Sequence, residues 1–252
     1  MDDLNRLLSL AEAYARELPP LPPVQEPPVG EEIAAWIDHT LLKPDATAEQ
    51  IKILCQEALQ HRFAAVCVNP VFAPLAAGLL HDSAVSVCTV VGFPLGATPP
   101  SIKLAEALTC LSAGASEIDM VLNVGALKGE AYGQVINDIQ LVSQAVHNQR
   151  AILKVILEMG LLTPLEKIIA CLLCKAAGAD FVKTSTGFGP AGATLEDVDL
   201  MHRVVGPGIR VKAAGGIRTY EDAIGLIKAG AARIGTSAGV KIVQQAMVKG
   251  GA

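Results

Sequence analysis

Short apolar runs alternate along the chain with longer stretches in which apolar residues recur every three or four positions. The first pattern is typical of buried strands, and the second is typical of helices that cover a core. Several helical stretches end in glycine, as helices commonly do. Eight strands are predicted, at residues 35–40, 64–68, 85–91, 116–122, 151–158, 180–185, 209–215 and 232–237.

The regular alternation predicts the fold class. Eight strand–helix units within residues 31–252 are what a (β/α)8 barrel with right-handed crossovers requires. We therefore predict an α/β protein that forms a single (β/α)8 TIM barrel with an N-terminal helical extension. An open, doubly wound sheet is the alternative, but no GxGxxG motif follows the first strand.

Residues 1–30 have a different pattern from the rest of the chain. LNRLLSLAEAYAREL has the periodicity of an amphipathic helix, and PPLPPVQEPPVG follows it. Proline lacks an N–H group and has a fixed φ, so the second segment cannot continue the helix. We predict a helix and a proline-rich linker in residues 1–30 and the barrel domain in residues 31–252. Packing of the extension against a neighbouring subunit is a further hypothesis.

The amino-acid composition limits the kinds of partner that the protein is expected to bind. The chain has 252 residues, of which 51% are hydrophobic and only 4% aromatic, and its net charge is -5. Such a core must consist of aliphatic residues, which suits parallel strands covered by helices. The acidic balance provides no basic surface for nucleic acid or anionic membranes. No apolar run approaches the roughly 20 residues of a membrane helix, so a cytoplasmic protein is expected.

The six cysteines lie in apolar segments and are expected to be reduced thiols in the core. Cys171 and Cys174, in CLLC, have the spacing of a redox pair. They fall inside a predicted helix and not at a strand-to-helix turn, which favours core positions. The five histidines show no metal-like spacing, so no metal site is expected.

Three lysines lie within predicted strands: Lys154, Lys183 and Lys212. A lysine buried under a helix without a partner would cost several kcal/mol, so these side chains are expected in the barrel interior or at its mouth. Each could instead be a structural lysine in a salt bridge. Their positions on strands 5, 6 and 7 argue against that alternative for all three.

Lys183 and Lys212 end neighbouring strands, so their ammonium groups are expected within a few ångströms of each other. A free lysine has a pKa of about 10.4, and a nucleophilic amine must be unprotonated. A second cation and partial desolvation can lower the pKa by about 3 units. One lysine would then attack a carbonyl group, and the other would tune the pKa of the first.

Asp119 stands among apolar residues in SEIDMVLN, on the fourth predicted strand. A carboxylate near two lysines would stay ionised or transfer a proton. The alternative is a salt bridge to Lys154 that only fills the barrel. Asp38 and Glu158 also lie on predicted strands. Together with Lys154, they are predicted to contact the reacting residues of the same polar network without touching the substrate.

Glycine-containing turns follow the last two strands, in AAGGIRT (residues 213–219) and IGTSAGV (residues 234–240). Barrels commonly bind phosphate at this place through backbone N–H groups and the start of a short helix. Gly215, Gly216, Ser237 and Ala238 are the expected donors, and Gly187 in STGFG adds to the same rim.

Taken together, the motifs resemble those of the deoxyribose-phosphate aldolases, class I aldolases with a (β/α)8 barrel. The resemblance covers about residues 33–245 and rests on DHTLLKPDAT, VCVNP, EIDMVLNVG, LKVILE, FVKTSTGFG, VKAAGGIRT and IGTS, in this order. It implies reversible cleavage of 2-deoxy-D-ribose 5-phosphate to D-glyceraldehyde 3-phosphate and acetaldehyde, in deoxyribonucleotide catabolism.

The resemblance also implies roles for individual residues. Lys183 would form the Schiff base, Lys212 would lower the pKa of Lys183, and Asp119 would join Lys212 in a water-mediated proton relay. The imine on Lys183 would be the electron sink, so no metal or organic cofactor is expected. The residues implied to bind substrate or its phosphate are Thr40, Cys67, Thr184, Gly187, Gly215, Gly216, Ser237 and Ala238.

The expected partners are small phosphorylated sugars and aldehydes, and a homo-oligomer, with a dimer expected. Two positions depart from the family pattern: Phe188 stands where some members have lysine, and Ala238 where a second serine often follows Ser237. Two alternatives stay open. The protein could be a Schiff-base aldolase that uses a ketone donor, or a phosphate-binding barrel without turnover.

Overall fold

The structure is a computed structural model and describes residues 2–250. Parallel strands form one closed barrel in chain order, with the last strand paired to the first. The predicted (β/α)8 barrel is therefore confirmed. The eight strands are β1 (Ile37–Leu41), β2 (Ala65–Val68), β3 (Ser86–Val91), β4 (Glu117–Val121), β5 (Ile152–Ile156), β6 (Phe181–Lys183), β7 (Arg210–Ala214) and β8 (Ala231–Thr236).

Helices cover the outside of the barrel, and a short 3-10 helix (Gly30–Trp36) leads into β1. The helices are α1 (Asp2–Arg16), α2 (Ala48–His61), α3 (Ala73–Leu80), α4 (Pro100–Ser112), α5 (Val124–Lys128), α6 (Tyr132–Asn148), α7 (Pro164–Ala176), α8 (Leu195–Val205), α9 (Tyr220–Lys228) and α10 (Gly239–Gly250). In residues 2–250, every helix is too short or too polar to cross a membrane.

Threonine side chains begin four of these helices. Thr47, Thr163, Thr194 and Thr219 precede α2, α7, α8 and α9, and each hydroxyl oxygen accepts a hydrogen bond from an N–H group of the first helical turn. Such caps satisfy N–H groups that have no partner within the helix. They fix the loops at the carboxyl ends of the strands, where the site lies.

The N-terminal helix packs on the barrel of its own chain. α1 lies against α7, and Ala11 of α1 is fully buried in the core. The Arg203 guanidinium donates to the Pro19 carbonyl at 3.2 Å, which ties the proline-rich segment to α8. The division of the chain after residue 30, and contact of the extension with a neighbouring subunit, stay predictions.

The cysteines are in the core. All six are buried and free, and Cys171 and Cys174 lie inside α7. Burial raises the pKa of both thiols above the ordinary value. The prediction of core positions for the CLLC pair is confirmed.

A buried lysine on a helix was not predicted. Lys103 of α4 is fully buried, and its Nζ donates to Asp138 Oδ2 of α6 at 2.5 Å and to the Val121 carbonyl at the end of β4 at 3.0 Å. The contact joins two outer helices to the strand that carries Asp119. It therefore supports the wall of the site from outside the barrel.

Replacing Lys103 by methionine is expected to lower the free energy of unfolding by about 3–5 kcal/mol, because it leaves the Asp138 carboxylate buried without its cation. Urea denaturation followed by circular dichroism measures this. Lys52→Met is the matched control, since Lys52 is exposed and pairs with exposed Glu49 at 3.1 Å, which predicts a loss below about 1 kcal/mol. Equal losses in the two variants would contradict the prediction.

Candidate active site

A pocket of about 270 Å³ opens at the carboxyl ends of the strands. Lys183 lines this pocket, whereas Lys212 and Asp119 are fully buried and do not line it. An amine at Lys183 can therefore reach a bound molecule directly. Of the other residues predicted to bind substrate, the pocket is lined by Thr40, Gly187, Gly215, Gly216 and Ser237.

Asp119 lies between the three strand lysines. Its Oδ2 accepts from Lys183 Nζ at 2.7 Å and from Lys212 Nζ at 2.8 Å, and its Oδ1 accepts from Lys154 Nζ at 2.9 Å. The strand register explains this, because Lys183 lies opposite Lys212 and Asp119 opposite Lys154. Asp119 thus forms the salt bridge to Lys154 and also contacts the other two lysines, and its part in proton transfer stays a prediction.

A second row of charges lies next to these groups. Asp38 accepts from Lys212 Nζ at 2.5 Å and from the Arg233 guanidinium at 2.5 Å. Glu117 lies 2.5 Å from Lys154 Nζ and 3.2 Å from the Arg233 guanidinium. Asp38 and Lys154 therefore belong to the network that they were predicted to support.

Glu117 and Arg233 were not singled out from the sequence. Glu117 stands two residues before Asp119 on β4, and side chains two apart on a strand point to the same face. Arg233 is a cation within the eighth predicted strand, the same feature that identified the lysines. Both signals were therefore present in the sequence.

The charges of the network keep its members ionised. Burial opposes ionisation of Asp119, but Lys154, Lys183 and Lys212 outweigh it and hold the pKa of this carboxyl well below the ordinary value. Burial likewise opposes the charge on Lys212, but Asp119 and Asp38 raise its pKa above the ordinary value. Lys212 thus stays a cation, which its predicted role beside Lys183 requires.

Glu158 faces a different part of the site. It follows β5 with a left-handed φ of 56°, and its Oε2 accepts from the Thr186 N–H at 3.2 Å and from the Thr186 hydroxyl. This turns the carboxylate towards the loop after β6. Glu158 therefore holds that loop, whereas it was predicted to support the lysine network.

Three residues implied to bind substrate do not line the pocket. Cys67 is fully buried, and the Thr184 hydroxyl donates to the Ala214 carbonyl at 2.9 Å and accepts from the Ala214 N–H at 3.0 Å. The Ala238 N–H, an expected phosphate donor, donates instead to Thr236 Oγ1 at 2.9 Å. Their contacts with substrate stay predictions.

The rim of the pocket suits an anion. Gly187, Gly215 and Gly216 have φ values of 87°, 95° and 78°, a conformation that favours glycine. A Cβ on Gly215 would also lie 3.0 Å from the Gly192 Cα. Exposed Lys43 and Arg218 line the same pocket. Neither cation was singled out from the sequence, although Arg218 lies within AAGGIRT.

One group of possible metal ligands comes together among residues 2–250. The ligand atoms of Cys67, Cys88 and Asp119 lie within 4.8 Å of one another. The Cys88 thiol donates to Asp119 Oδ1 at 3.0 Å, and the lysine ammonium groups described above surround that carboxylate. This arrangement fits a metal cation poorly, because the positive charge of the lysines opposes another cation.

Several known proteins are similar to this chain in sequence and fold. A family model for DeoC/LacD family aldolases matches residues 33–245. A protein from Thermococcus gammatolerans named deoxyribose-phosphate aldolase is 58% identical over 220 residues, which cover 86% of this chain and 98% of that protein.

Solved structures agree with this result. A crystal structure from Coccidioides immitis, provisionally assigned as a deoxyribose-phosphate aldolase, is 44% identical with a TM-score of 0.90, covering 96% of both chains. A tetrameric deoxyribose phosphate aldolase from Aeropyrum pernix is 37% identical with a TM-score of 0.80, covering 85% of this chain and 90% of that one. The chain belongs to the DeoC/LacD family of aldolases.

Proposed function

We propose that this protein reversibly cleaves 2-deoxy-D-ribose 5-phosphate to D-glyceraldehyde 3-phosphate and acetaldehyde through a Schiff base on Lys183. The observation that carries the proposal is the position of Lys183, which lines the pocket and touches a carboxylate shared with a second buried lysine. The names of the relatives at 58% identity support the same substrate. A place in deoxyribonucleotide catabolism follows from that substrate.

The proposed reaction begins when the unprotonated Lys183 amine attacks C1 of the open-chain sugar. Loss of water gives an iminium ion, which acts as the electron sink. The C3 hydroxyl then loses its proton, the C2–C3 bond breaks, and D-glyceraldehyde 3-phosphate leaves. The enamine takes a proton at C2, and water releases acetaldehyde and the free amine. These steps need no metal or organic cofactor.

Asp119 and Lys212 are suited to carry the protons. Lys183 and Lys212 share Asp119 Oδ2 at 2.7 Å and 2.8 Å, so a proton can pass along one short path. The pKa of Asp119 is lowered and that of Lys212 raised, which places the resting proton on Lys212. In the proposed relay, Lys212 supplies the proton, and Asp119 with a bound water conducts it.

The phosphate is proposed to lie on the glycine rim. Gly187, Gly215, Gly216 and Ser237 line the same pocket as Lys183, so one bound molecule can contact the rim and the amine. Arg218 adds a cation at this place. We also propose a cytoplasmic homo-oligomer with a dimer as the unit; the tetrameric relative makes sedimentation analysis the test of subunit number.

Borohydride trapping tests the mechanism. The protein is incubated with acetaldehyde, reduced, digested, and the modified peptide is located by mass spectrometry. We expect an N-ethyl group on Lys183 and none on buried Lys212. Adducts confined to exposed lysines would contradict the proposal. The same experiment with dihydroxyacetone phosphate in place of acetaldehyde tests the alternative that the enzyme uses a ketone donor.

A lysine at position 188 is expected to improve binding of the phosphorylated sugar. Phe188 is 52% exposed at the pocket mouth, and its ring packs edge-on against Phe93 with centroids 5.5 Å apart. Phe188→Lys should lower the KM by about two- to fivefold, the effect of an exposed charge pair, and salt should weaken the gain. Phe188→Met controls for loss of the ring, and an equal effect there would refute the electrostatic explanation.

A further inference from the structure

The inside of the barrel holds one continuous cluster of charged side chains, which we name the barrel cluster. Its salt bridges run from Lys183, at the pocket that we call the reaction pocket, to Arg233 on β8. Six of the seven members are buried, and the Arg233 side chain is 16% exposed, so their charges must be balanced mainly within the cluster. The carboxylates are Asp38, Glu117 and Asp119, and the cations are Lys154, Lys183, Lys212 and Arg233.

The charges of the barrel cluster do not balance when every member is ionised. Four cations then face three carboxylates among the residues that the structure describes, which leaves one positive charge. A net charge away from water is costly. Loss of one proton from one cation makes the cluster neutral, and loss of a second would make it negative. The cluster therefore favours the release of a single proton.

Lys183 is the cation from which this proton is most easily released. Among the described carboxylates, its Nζ pairs with Asp119 alone, at 2.7 Å, whereas Lys154 Nζ and Lys212 Nζ each lie within 2.9 Å of two carboxylates. Burial opposes the charge on these two lysines, but the carboxylates outweigh it and raise the pKa of both. Arg233 stays protonated because it is an arginine. The neutral state of the cluster therefore has an unprotonated amine at Lys183.

Arg233 and Glu117 have opposite effects on this balance. The Arg233 guanidinium donates to Asp38 at 2.5 Å and to Glu117 at 3.2 Å. Without Arg233, the cluster would already be neutral with Lys183 protonated, and release of the proton would leave a buried negative charge. Without the Glu117 carboxylate, the cluster would carry two positive charges, and the proton would be released more readily.

We propose that Arg233 and Glu117 are positioning residues of the aldolase, which act on Lys183 through the net charge of the barrel cluster. Arg233 favours the unprotonated amine that attacks the sugar, and Glu117 opposes it. Neither residue lines the reaction pocket, so neither effect needs contact with the substrate. This inference rests on the proposed function, because the amine concerned is the nucleophile of that reaction.

Other titratable groups lie near Lys183, and the single variants leave them in place. The thiols of Cys67 and Cys88 lie beside Asp119. Burial raises the pKa of Cys88, whereas a hydrogen bond with Cys88 lowers that of Cys67. A thiolate at Cys67 would add a negative charge, so this residue has its own control below. The remaining charged groups near the pocket are Lys43, Arg218 and Glu158.

The test measures how fast acetaldehyde and cyanoborohydride place an N-ethyl group on Lys183 at different pH values. Mass spectrometry of the digest gives this rate, and also the rate at exposed Lys52 in the same sample, which corrects for the pH dependence of the reagents. Acetaldehyde carries no ionisable phosphate, so the corrected profile reports the protein. The readout is its midpoint, the pH at which the rate at Lys183 is half of its maximum.

The midpoint should move in opposite directions in the two variants. We expect Arg233→Met to raise it by about one pH unit and Glu117→Gln to lower it by about the same amount. The double variant loses one charge of each sign and should return to the wild-type midpoint. Arg233→Lys keeps the charge and should stay within about 0.3 units of wild type. A merely structural role would lower the rates without these opposite shifts.

Two controls separate the barrel cluster from other charges. Arg210 lies over the Phe181 ring at 4.1 Å, is exposed and is outside the cluster, so Arg210→Met should move the midpoint by less than about 0.3 units. The shifts of the Arg233 and Glu117 variants should also persist when Cys67→Ser is added. If they disappear there, the thiol is the group that titrates, and the inference is wrong.

The outcomes distinguish the two proposals. If wild type forms the adduct on Lys183 but the midpoints of Arg233→Met and Glu117→Gln stay unchanged or move in the same direction, the inference is wrong and the aldolase function stands. If Arg233→Met does not fold, the downward shift in Glu117→Gln decides, and its absence overturns the inference. If wild type forms no adduct on Lys183, the proposed function fails and the inference fails with it.

Discussion

Replacing Lys183 by methionine is expected to lower the turnover of 2-deoxy-D-ribose 5-phosphate by about 10⁴- to 10⁶-fold, as loss of a catalytic nucleophile does elsewhere. Lys183 is the one strand lysine that lines the reaction pocket, and Lys154 and Lys212 are fully buried. Neither can replace it without rearranging the network. Release of acetaldehyde, coupled to an alcohol dehydrogenase and NADH, measures the turnover.

Lys183→Arg is the matched control for charge. Arginine keeps a cation beside Asp119 Oδ2, which accepts from Lys183 Nζ at 2.7 Å, but it does not form an imine because it stays protonated. This variant should unfold at a temperature close to that of wild type and be as inactive as Lys183→Met. Activity within about 100-fold of wild type in either variant would exclude Lys183 as the nucleophile.

Replacing Asp119 by asparagine is expected to have the second largest effect. It should lower both the free energy of unfolding and the rate of catalysis. The carboxylate accepts from three buried lysines, and an amide would leave their charges without this partner. Breaking a buried ion pair in this way costs about 3–5 kcal/mol. Urea denaturation measures the loss, and Asp45→Asn, at an exposed loop residue, should change stability by less than about 0.5 kcal/mol.

The effect of Asp119→Asn should depend on pH in a defined direction. The pKa of the Asp119 carboxyl is lowered in the folded protein, so its contribution is fully present above the unfolded value of about 3.9. It is lost as the pH falls below that value towards the folded pKa. The difference between wild type and variant should be constant near neutral pH and shrink below about pH 4. A difference that grew in acid would contradict this assignment.

The strands were predictable because each is a short apolar run with clear ends. β5 was predicted two residues too long at its carboxyl end, and so was β6, which was predicted at residues 180–185 but ends at Lys183. Beyond it, the Thr184 hydroxyl bonds to the Ala214 backbone, and the Thr186 N–H bonds to Glu158. The Thr184 backbone still donates to the Lys212 carbonyl at 3.1 Å and accepts from the Met159 N–H at 3.0 Å, so the side-chain contacts add to these bonds, and local sequence does not reveal them.

The centre of the site was predictable for a related reason. A lysine in an apolar strand must find a partner, and neighbouring strand ends bring Lys183 and Lys212 together. Lys103 gave no such signal, because a lysine on an amphipathic helix is normally exposed. The direction of Glu158 depends on its left-handed backbone, which the sequence pattern does not specify.

The contact between Arg233 and Asp38 joins the last strand to the first, across 195 residues of sequence. A ribosome makes the chain from its N-terminus, so Asp38 emerges long before its partners Lys212 and Arg233. Until β8 has left the exit tunnel, β1 lacks its neighbour on that side and Asp38 lacks Arg233. Closure of the barrel and the contact between Asp38 and Arg233 therefore both wait for the last strand, near the end of synthesis.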